Sequence, residues 1–164
     1  MSANTAPSQP PTGDPPVRIP PLVVGIVIWL LMWIGARALP TLGQPSRWTV
    51  VAAIVCFAAG ATIAVAGLLE FRRARTTSNP LRPDAATGLV TSGIYRLTRN
   101  PMYVGFACLT LGWAAYLGHA LAPLGVVAFV AWISRFQIPP EERALAALFG
   151  DAFDRYRSRV RRWI

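Results

Sequence analysis

Four apolar stretches, each close to the length of a membrane span, dominate this chain and leave few folds open to it. Crossing the hydrocarbon core of a bilayer takes about 20 predominantly apolar helical residues. A backbone immersed in lipid must also satisfy its own hydrogen bonds, which restricts it to helices or a closed barrel. The first stretch covers residues 21–39 ("PLVVGIVIWLLMWIGARAL"), with Arg37 near its end, and the second covers residues 48–69 ("WTVVAAIVCFAAGATIAVAGLL"). Residues 102–117 and 121–138 follow, separated only by "GHA", a break short enough to predict a helical hairpin. With 54% hydrophobic and 14% charged residues, the chain is too apolar for an ordinary soluble domain. The predicted fold is an all-α integral membrane protein with four transmembrane helices, the last two paired as a hairpin, and a C-terminal interfacial amphipathic helix.

Charge sets the orientation. All sixteen basic residues are arginine, and against seven acids they leave a net charge of +9. Such an excess suits nucleic acid or anionic lipid, and the positions decide for lipid, because the arginines flank apolar spans. Arg72, Arg73, Arg75, Arg82, Arg96 and Arg99 lie between the second and third stretches, and Arg135 to Arg162 end or follow the fourth. The positive-inside rule places both groups, and both termini, in the cytoplasm, with Arg37 and Arg47 on the far side. Residues 1–20 are Pro-rich and polar and read as a disordered tail, in preference to a cleaved leader ending near Ala36-Arg37-Ala38. Residues 21–71 then hold the first two spans, and residues 72–164 form the remaining unit, opening on a basic loop over 72–92. Cys56 and Cys108 sit in different apolar stretches as packing residues, and His119 has no second ligand nearby in sequence, so no metal site is indicated.

Two motifs carry polar chemistry. At Arg99-Asn100-Pro101, Asn is a favoured helix cap and Pro a favoured first helical residue, which suffices to explain a helix start. Tyr95, Arg96, Arg99 and Tyr103 nevertheless crowd that start, and the positive end of a helix beside arginine favours an anionic group such as a carboxylate. Gly105, one turn in, permits close approach of a ligand or a neighbouring helix. In "IPPEERALAALFG", Pro139 and Pro140 pre-set a helix and Glu141 and Glu142 suit its first turn on dipole grounds alone. Leu145, Leu148 and Phe149 fall on one side of that helix and Gly150 stops it. "DAFDRYRSRVRRWI" spaces Phe153, Tyr156, Val160, Trp163 and Ile164 at roughly helical intervals, the pattern of a helix lying in the membrane interface or docked on the bundle. A hairpin of the third and fourth spans brings both motifs to one boundary, open to a polar cofactor from water and an apolar substrate from lipid.

The ordered motifs "TTSNP", "LVTSGIYRLTRNPMYVG" and "EERALAALFGDAFDRYRSRVRRWI" resemble the isoprenylcysteine carboxyl methyltransferase family and its related bacterial membrane methyltransferases, over about residues 72–164. The resemblance implies an all-helical membrane enzyme, placed in a bacterial inner membrane, that uses S-adenosylmethionine without a Rossmann-type sheet. In keeping with this, no G-x-G-x-x-G fingerprint occurs. It makes residues 72–164 the methyltransferase core. It also implies that Gly93, Tyr95, Asn100, Pro101, Tyr103 and Gly105 line the cofactor pocket, and that Glu141 and Glu142 complete it. Arg99 and Glu142 become catalytic candidates, with Arg135, an arginine at the end of the fourth stretch, as a second partner for a substrate carboxylate unless it snorkels to the headgroups. Members usually carry His where this chain has Asn100, which keeps a positioning contact but cannot titrate near neutral pH. The implied acceptor is lipophilic or prenylated, methylated at a carboxylate that needs no general base. The alternatives are a lipid amine, for which Glu141 or Glu142 would act as a base, a nicotinamide-dependent membrane reductase on a similar bundle, and a non-catalytic scaffold binding anionic lipid.

Overall fold

A computed structural model describes residues 19–39, 46–74 and 88–164. The Pro-rich tail over 1–18 and the middle of the basic loop, 75–87, lie outside the described residues. The elements are α1 Pro21–Ala38, α2 Arg47–Arg73, a 310 turn Gly93–Arg96, α3 Pro101–Leu117, α4 Pro123–Trp132, a π-helical turn Ile133–Gln137, α5 Ile138–Phe149 and α6 Asp151–Arg157. No strand occurs among the described residues.

Local chemistry explains the helix ends. Ser46 caps α2 by accepting from the Thr49 N–H at 3.3 Å, and the Thr49 hydroxyl donates back to the Ser46 carbonyl at 2.7 Å. Proline opens α1, α3 and α4, where its missing N–H costs nothing. Gly118 and Gly150 end α3 and α5 at φ of 60° and 45°, a region that disfavours any side chain. The π-helical turn has its own cause. Pro139 and Pro140 cannot donate to carbonyls one turn back and their rings crowd them, so the helix widens before them instead of breaking.

α1 and α2 are long and apolar enough to cross a membrane, and in the most apolar 18-residue window of each only 22% and 17% of the residues are buried within the protein, unlike the mostly buried core helix of a soluble fold. Leu22, Leu30, Leu31, Ile54, Leu124 and Val127 are each more than half exposed. A surface of that composition suits contact with lipid. The helices meet through small residues. α2 and α3 run antiparallel, with Gly67 against Pro101, Gly60 and Ala64 against Gly105, and Ala53 against Gly112. A Cβ on Gly105 would stand 2.7 Å from the Gly60 carbonyl oxygen, and one on Gly60 equally close to the Gly105 carbonyl oxygen. α1 adds polar bonds: Trp29 Nε1 donates to Thr110 Oγ1 at 3.0 Å, and Trp113 Nε1 donates to the Trp29 carbonyl at 3.1 Å. Val24, Tyr103, Phe129, Ile133 and Ile138 form the buried cluster between α1, α3 and the α4–α5 run.

The last segment departs from expectation. The pattern over Phe153, Tyr156, Val160, Trp163 and Ile164 predicts one continuous helix, but helix persists only to Arg157 and the chain then folds back along the start of α3. Long-range bonds account for this. The Arg99 N–H donates to the Arg161 carbonyl at 2.9 Å, Trp163 Nε1 donates to Ser134 Oγ at 3.0 Å, and Phe153 and Tyr156 are buried.

The α2–α3 crossing yields a direct test. Gly60→Ala or Gly105→Ala places a methyl 2.7 Å from an opposing backbone oxygen, which cannot rotate aside as a side chain can, and each is expected to destabilise the protein by about 1–3 kcal/mol despite alanine's better helix propensity. Gly35→Ala, with nothing within 4 Å of the new Cβ, is the control that retains or gains stability. Unfolding of the purified protein in mild detergent distinguishes them.

Candidate functional site

The two polar motifs meet. The α4–α5 run returns beside α3, which puts the first turn of α5 against the first turn of α3. Tyr103 donates its hydroxyl to Glu141 Oε1 at 2.6 Å, and Gln137 Nε2 donates to the same oxygen at 2.6 Å. Arg99 Nη2 pairs with Glu142 Oε1 at 3.0 Å, the two side chains being only 13% and 20% exposed. Arg162 grips the same carboxylate, Nη2 to Oε2 at 2.6 Å and Nε to Oε1 at 3.2 Å. One glutamate is therefore shared by two guanidinium groups, a fork geometry that holds both in place.

Asn100 does more than start a helix. Its side chain makes no capping bond. Nδ2 instead donates to the Arg162 carbonyl at 2.9 Å, and the Thr98 hydroxyl donates to the same carbonyl at 3.2 Å while accepting from the Asn100 N–H at 3.2 Å. Arg99 Nη1 donates to the Arg157 carbonyl at 3.4 Å, and Arg99 Nε is buried with no hydrogen-bond partner. An unsatisfied buried donor of this kind is costly unless a ligand meets it.

Tyr95 forms the floor. It is 5% exposed, lies edge-on to Phe71 with ring centroids 5.4 Å apart, and its carbonyl accepts from the Tyr156 hydroxyl at 2.7 Å. Burial pushes the Tyr95 phenol above its ordinary range, and Tyr156, Glu141 and Glu70 push it further in the same direction. Burial raises the Tyr156 phenol as well, and the Arg99 charge opposes that rise. Gly93 has φ +55°, and a Cβ there would stand 2.5 Å from Glu70 Cδ, so it is required where the 310 turn crosses Glu70.

Of the residues expected at the site, Arg99, Asn100, Tyr103, Glu141 and Glu142 are brought together, and Tyr95 lies beneath them. Pro101 and Gly105 face α2, packed against Gly67 and Gly60. Arg135 stands apart, exposed in the π-helical turn with its guanidinium 5.8 Å from the Phe136 ring centroid. Glu141 faces Tyr103 and Gln137 rather than solvent. Sequence reasoning missed Arg162, Gln137 and Thr98, and also Glu70, which is 7% exposed and accepts from Ser92 and from Arg73 at 2.8 Å. Gln137, four residues before Glu141, carried a local signal. Arg162 did not, because its partner is 20 residues away across a turn.

The family model for phospholipid methyltransferases matches residues 48–152, which covers α2 to the start of α6. The chain belongs to the phospholipid methyltransferase family. Within the family it is 41% identical over 73 residues to a protein-S-isoprenylcysteine O-methyltransferase of Schizosaccharomyces pombe, a match covering 44% of this chain and 30% of that protein. It is 32% identical over 110 residues to protein-S-isoprenylcysteine O-methyltransferase A of Arabidopsis thaliana, covering 65% of this chain and 54% of that one. An uncharacterized protein of Haemophilus influenzae is 44% identical over 63 residues, 38% of this chain and 100% of its own length. The match thus spans about half or less of the two named methyltransferases. No solved structure matches the chain.

Two consequences are measurable in this family member. Glu142→Gln removes the charge shared by Arg99 and Arg162, and is expected to cost roughly 2 kcal/mol in thermal or denaturant unfolding, while Glu142→Asp loses less. The raised phenols give a pH effect of fixed sign. Above about pH 10 the unfolded chain releases protons that Tyr95 and Tyr156 retain in the folded state, so stability is full below that pH and falls as pH rises past it. Ultraviolet titration should show neither phenolate forming until unfolding, with the folded-state amplitude unchanged in Tyr95→Phe and Tyr156→Phe.

Proposed function

We propose that this chain is an S-adenosylmethionine-dependent methyltransferase whose acceptor is dissolved in the membrane, most plainly the carboxylate of an isoprenylcysteine-like thioether. The observation that carries the reading is the meeting of Arg99 and Tyr103 at the start of α3 with Glu141 and Glu142 at the start of α5, in a chain of this family. In this reading α3 and the α4 run to Ile138 complete the membrane domain as a hairpin of third and fourth spans. The arginine-rich end and both termini are cytoplasmic.

The residues present fit the cofactor. In this reading the unpartnered Arg99 Nε would donate to its carboxylate and Glu142, exchanging a guanidinium, would accept from its ammonium, with the buried Tyr95 and Tyr103 packed behind them. When bound, S-adenosylmethionine supplies an electrophilic methyl group on a sulfonium. Asn100 positions through its amide and has no proton to exchange near neutral pH. Glu141 Oε1, already accepting from Tyr103 and Gln137, orients rather than abstracts. Both features favour an acceptor that arrives ionised, a carboxylate, over an amine that must first lose a proton. The apolar helix walls exclude water, and catalysis rests on orientation and on desolvating opposite charges. The lateral faces of α1, α2 and α4, already in lipid, offer a greasy acceptor a route that does not cross water.

Calorimetric titration of the full-length detergent-solubilised protein with S-adenosylhomocysteine tests the cofactor reading. Saturable binding is expected in the wild type, weakened about 10- to 100-fold in Arg99→Ala and Glu142→Ala variants whose helicity and unfolding show them to be folded. Absence of binding by folded wild type overturns it. Transfer of a labelled methyl group to a farnesylcysteine analogue in preference to phosphatidylethanolamine then separates the carboxylate acceptor from the amine.

A further inference from the structure

Glu142 already carries a full complement of positive charge. Its Oε1 accepts from Arg99 Nη2 at 3.0 Å and from Arg162 Nε at 3.2 Å, and its Oε2 accepts from Arg162 Nη2 at 2.6 Å. A ligand ammonium arriving at this carboxylate would be a third cation, repelled by both guanidinium groups at hydrogen-bonding separations in a partly buried site. One of the two has to leave before it can bind.

The two are held unequally. The Arg99 side chain is 13% exposed, its Nη1 also donates to the Arg157 carbonyl at 3.4 Å, and its main-chain N–H donates to the Arg161 carbonyl at 2.9 Å. Taken off Glu142, it would remain a mostly buried charge without its counter-ion. The Arg162 side chain is 38% exposed and, among the described residues, donates its hydrogen bonds to Glu142 alone. Turned away from Glu142, it regains water. Its main chain has no need to follow. The Arg162 carbonyl accepts from Asn100 Nδ2 at 2.9 Å and from the Thr98 hydroxyl at 3.2 Å, and the next residue, Trp163, is tied through Nε1 to Ser134 Oγ at 3.0 Å. Rotation about side-chain bonds is enough to free Oε2.

We infer that the Arg162 guanidinium is an internal stand-in for a ligand ammonium: it closes Glu142 while the site is empty and swings into water when a ligand bearing a primary ammonium takes its place. The inference rests on the reading of Glu142 as the acceptor for the cofactor's ammonium. Closure lowers the apparent affinity by the fraction of molecules in which Arg162 is turned away, and a ligand without an ammonium gains nothing from displacing it.

Calorimetric titration of the full-length, detergent-solubilised wild type and Arg162→Met tests this. The methionine keeps the apolar stem and the main-chain bonds and removes the guanidinium. The ligands are S-adenosylhomocysteine and its analogue with hydrogen in place of the α-amino group. Arg162→Met should bind S-adenosylhomocysteine about tenfold more tightly than wild type and the analogue no more tightly, a charge-assisted bond no longer having to be broken. Without ligand the variant should unfold at a lower temperature than wild type, yet the same S-adenosylhomocysteine concentration should raise its unfolding temperature by more. A side chain that only braced the fold would lower the first and leave the second unchanged. Equal or weaker binding of S-adenosylhomocysteine by Arg162→Met overturns the inference, and so does equal tightening of both ligands. Should Arg162→Met fail to fold, Arg162→Lys, which keeps the charge and loses the fork, should tighten S-adenosylhomocysteine about threefold, and unchanged affinity there overturns it. Absence of binding in wild type and variant alike overturns the cofactor reading and the inference with it, whereas binding by both without tightening overturns the inference alone.

Discussion

The contact between the backbones of α2 and α3 governs the rest of the molecule. Inside a bilayer, lipid is as apolar as leucine, so helices associate through close packing and a few polar bonds rather than by escaping water. Gly60 and Gly105 bring the two helices near enough that a methyl on either would strike the other's carbonyl oxygen, and Gly67 lets Pro101 seat against α2. The height of the first turn of α3 is thereby fixed. One turn beyond Gly67, Glu70 reaches Ser92 and underlies Gly93, so the 310 turn carrying Tyr95 is anchored to the same helix.

On that platform the polar cluster is assembled from distant parts of the chain. Arg99 comes from before α3, Glu142 from α5 and Arg162 from the final segment. Two cations share one carboxylate, while the carbonyls of Arg157, Arg161 and Arg162 take up further donors from Arg99, Asn100 and Thr98. The returning C-terminal segment is thus part of the wall around the cluster. Apart from the Arg162–Glu142 pair and the Trp163–Ser134 bond, its hold is through main-chain carbonyls, which explains how a run of arginines fits beside Arg99: there the backbone supplies the negative end of the contact.

Much of the helical content was legible. The apolar stretches correspond to α1, α2 and α3 within a few residues, and the glycines at 118 and 150 stop helices as expected. The tandem prolines were legible as a helix start but not as the cause of a π-helical turn, since that depends on the helix before them continuing. Asn100 reads as a cap from its neighbours, yet its side chain is drawn away by the Arg162 carbonyl, 62 residues on. Gly105 was compatible with ligand or helix, and its partner on α2 decides for the helix. Helical spacing over the last residues suggested a helix to the end, but local periodicity cannot register competition from bonds to the start of α3.

By itself the sequence determined a helical chain with long apolar stretches, arginines that lie mostly outside them, and two polar motifs at helix starts. These properties follow from composition and spacing, because apolar length and charge position act locally on how a backbone meets lipid and water. Which side chains touch was decided only by tertiary structure. The Arg99–Glu142–Arg162 fork, the burial of Glu70 beneath Gly93 and the unpartnered nitrogen of His119 all depend on helix crossings set by small residues, and those contacts join positions with no periodic relation along the chain.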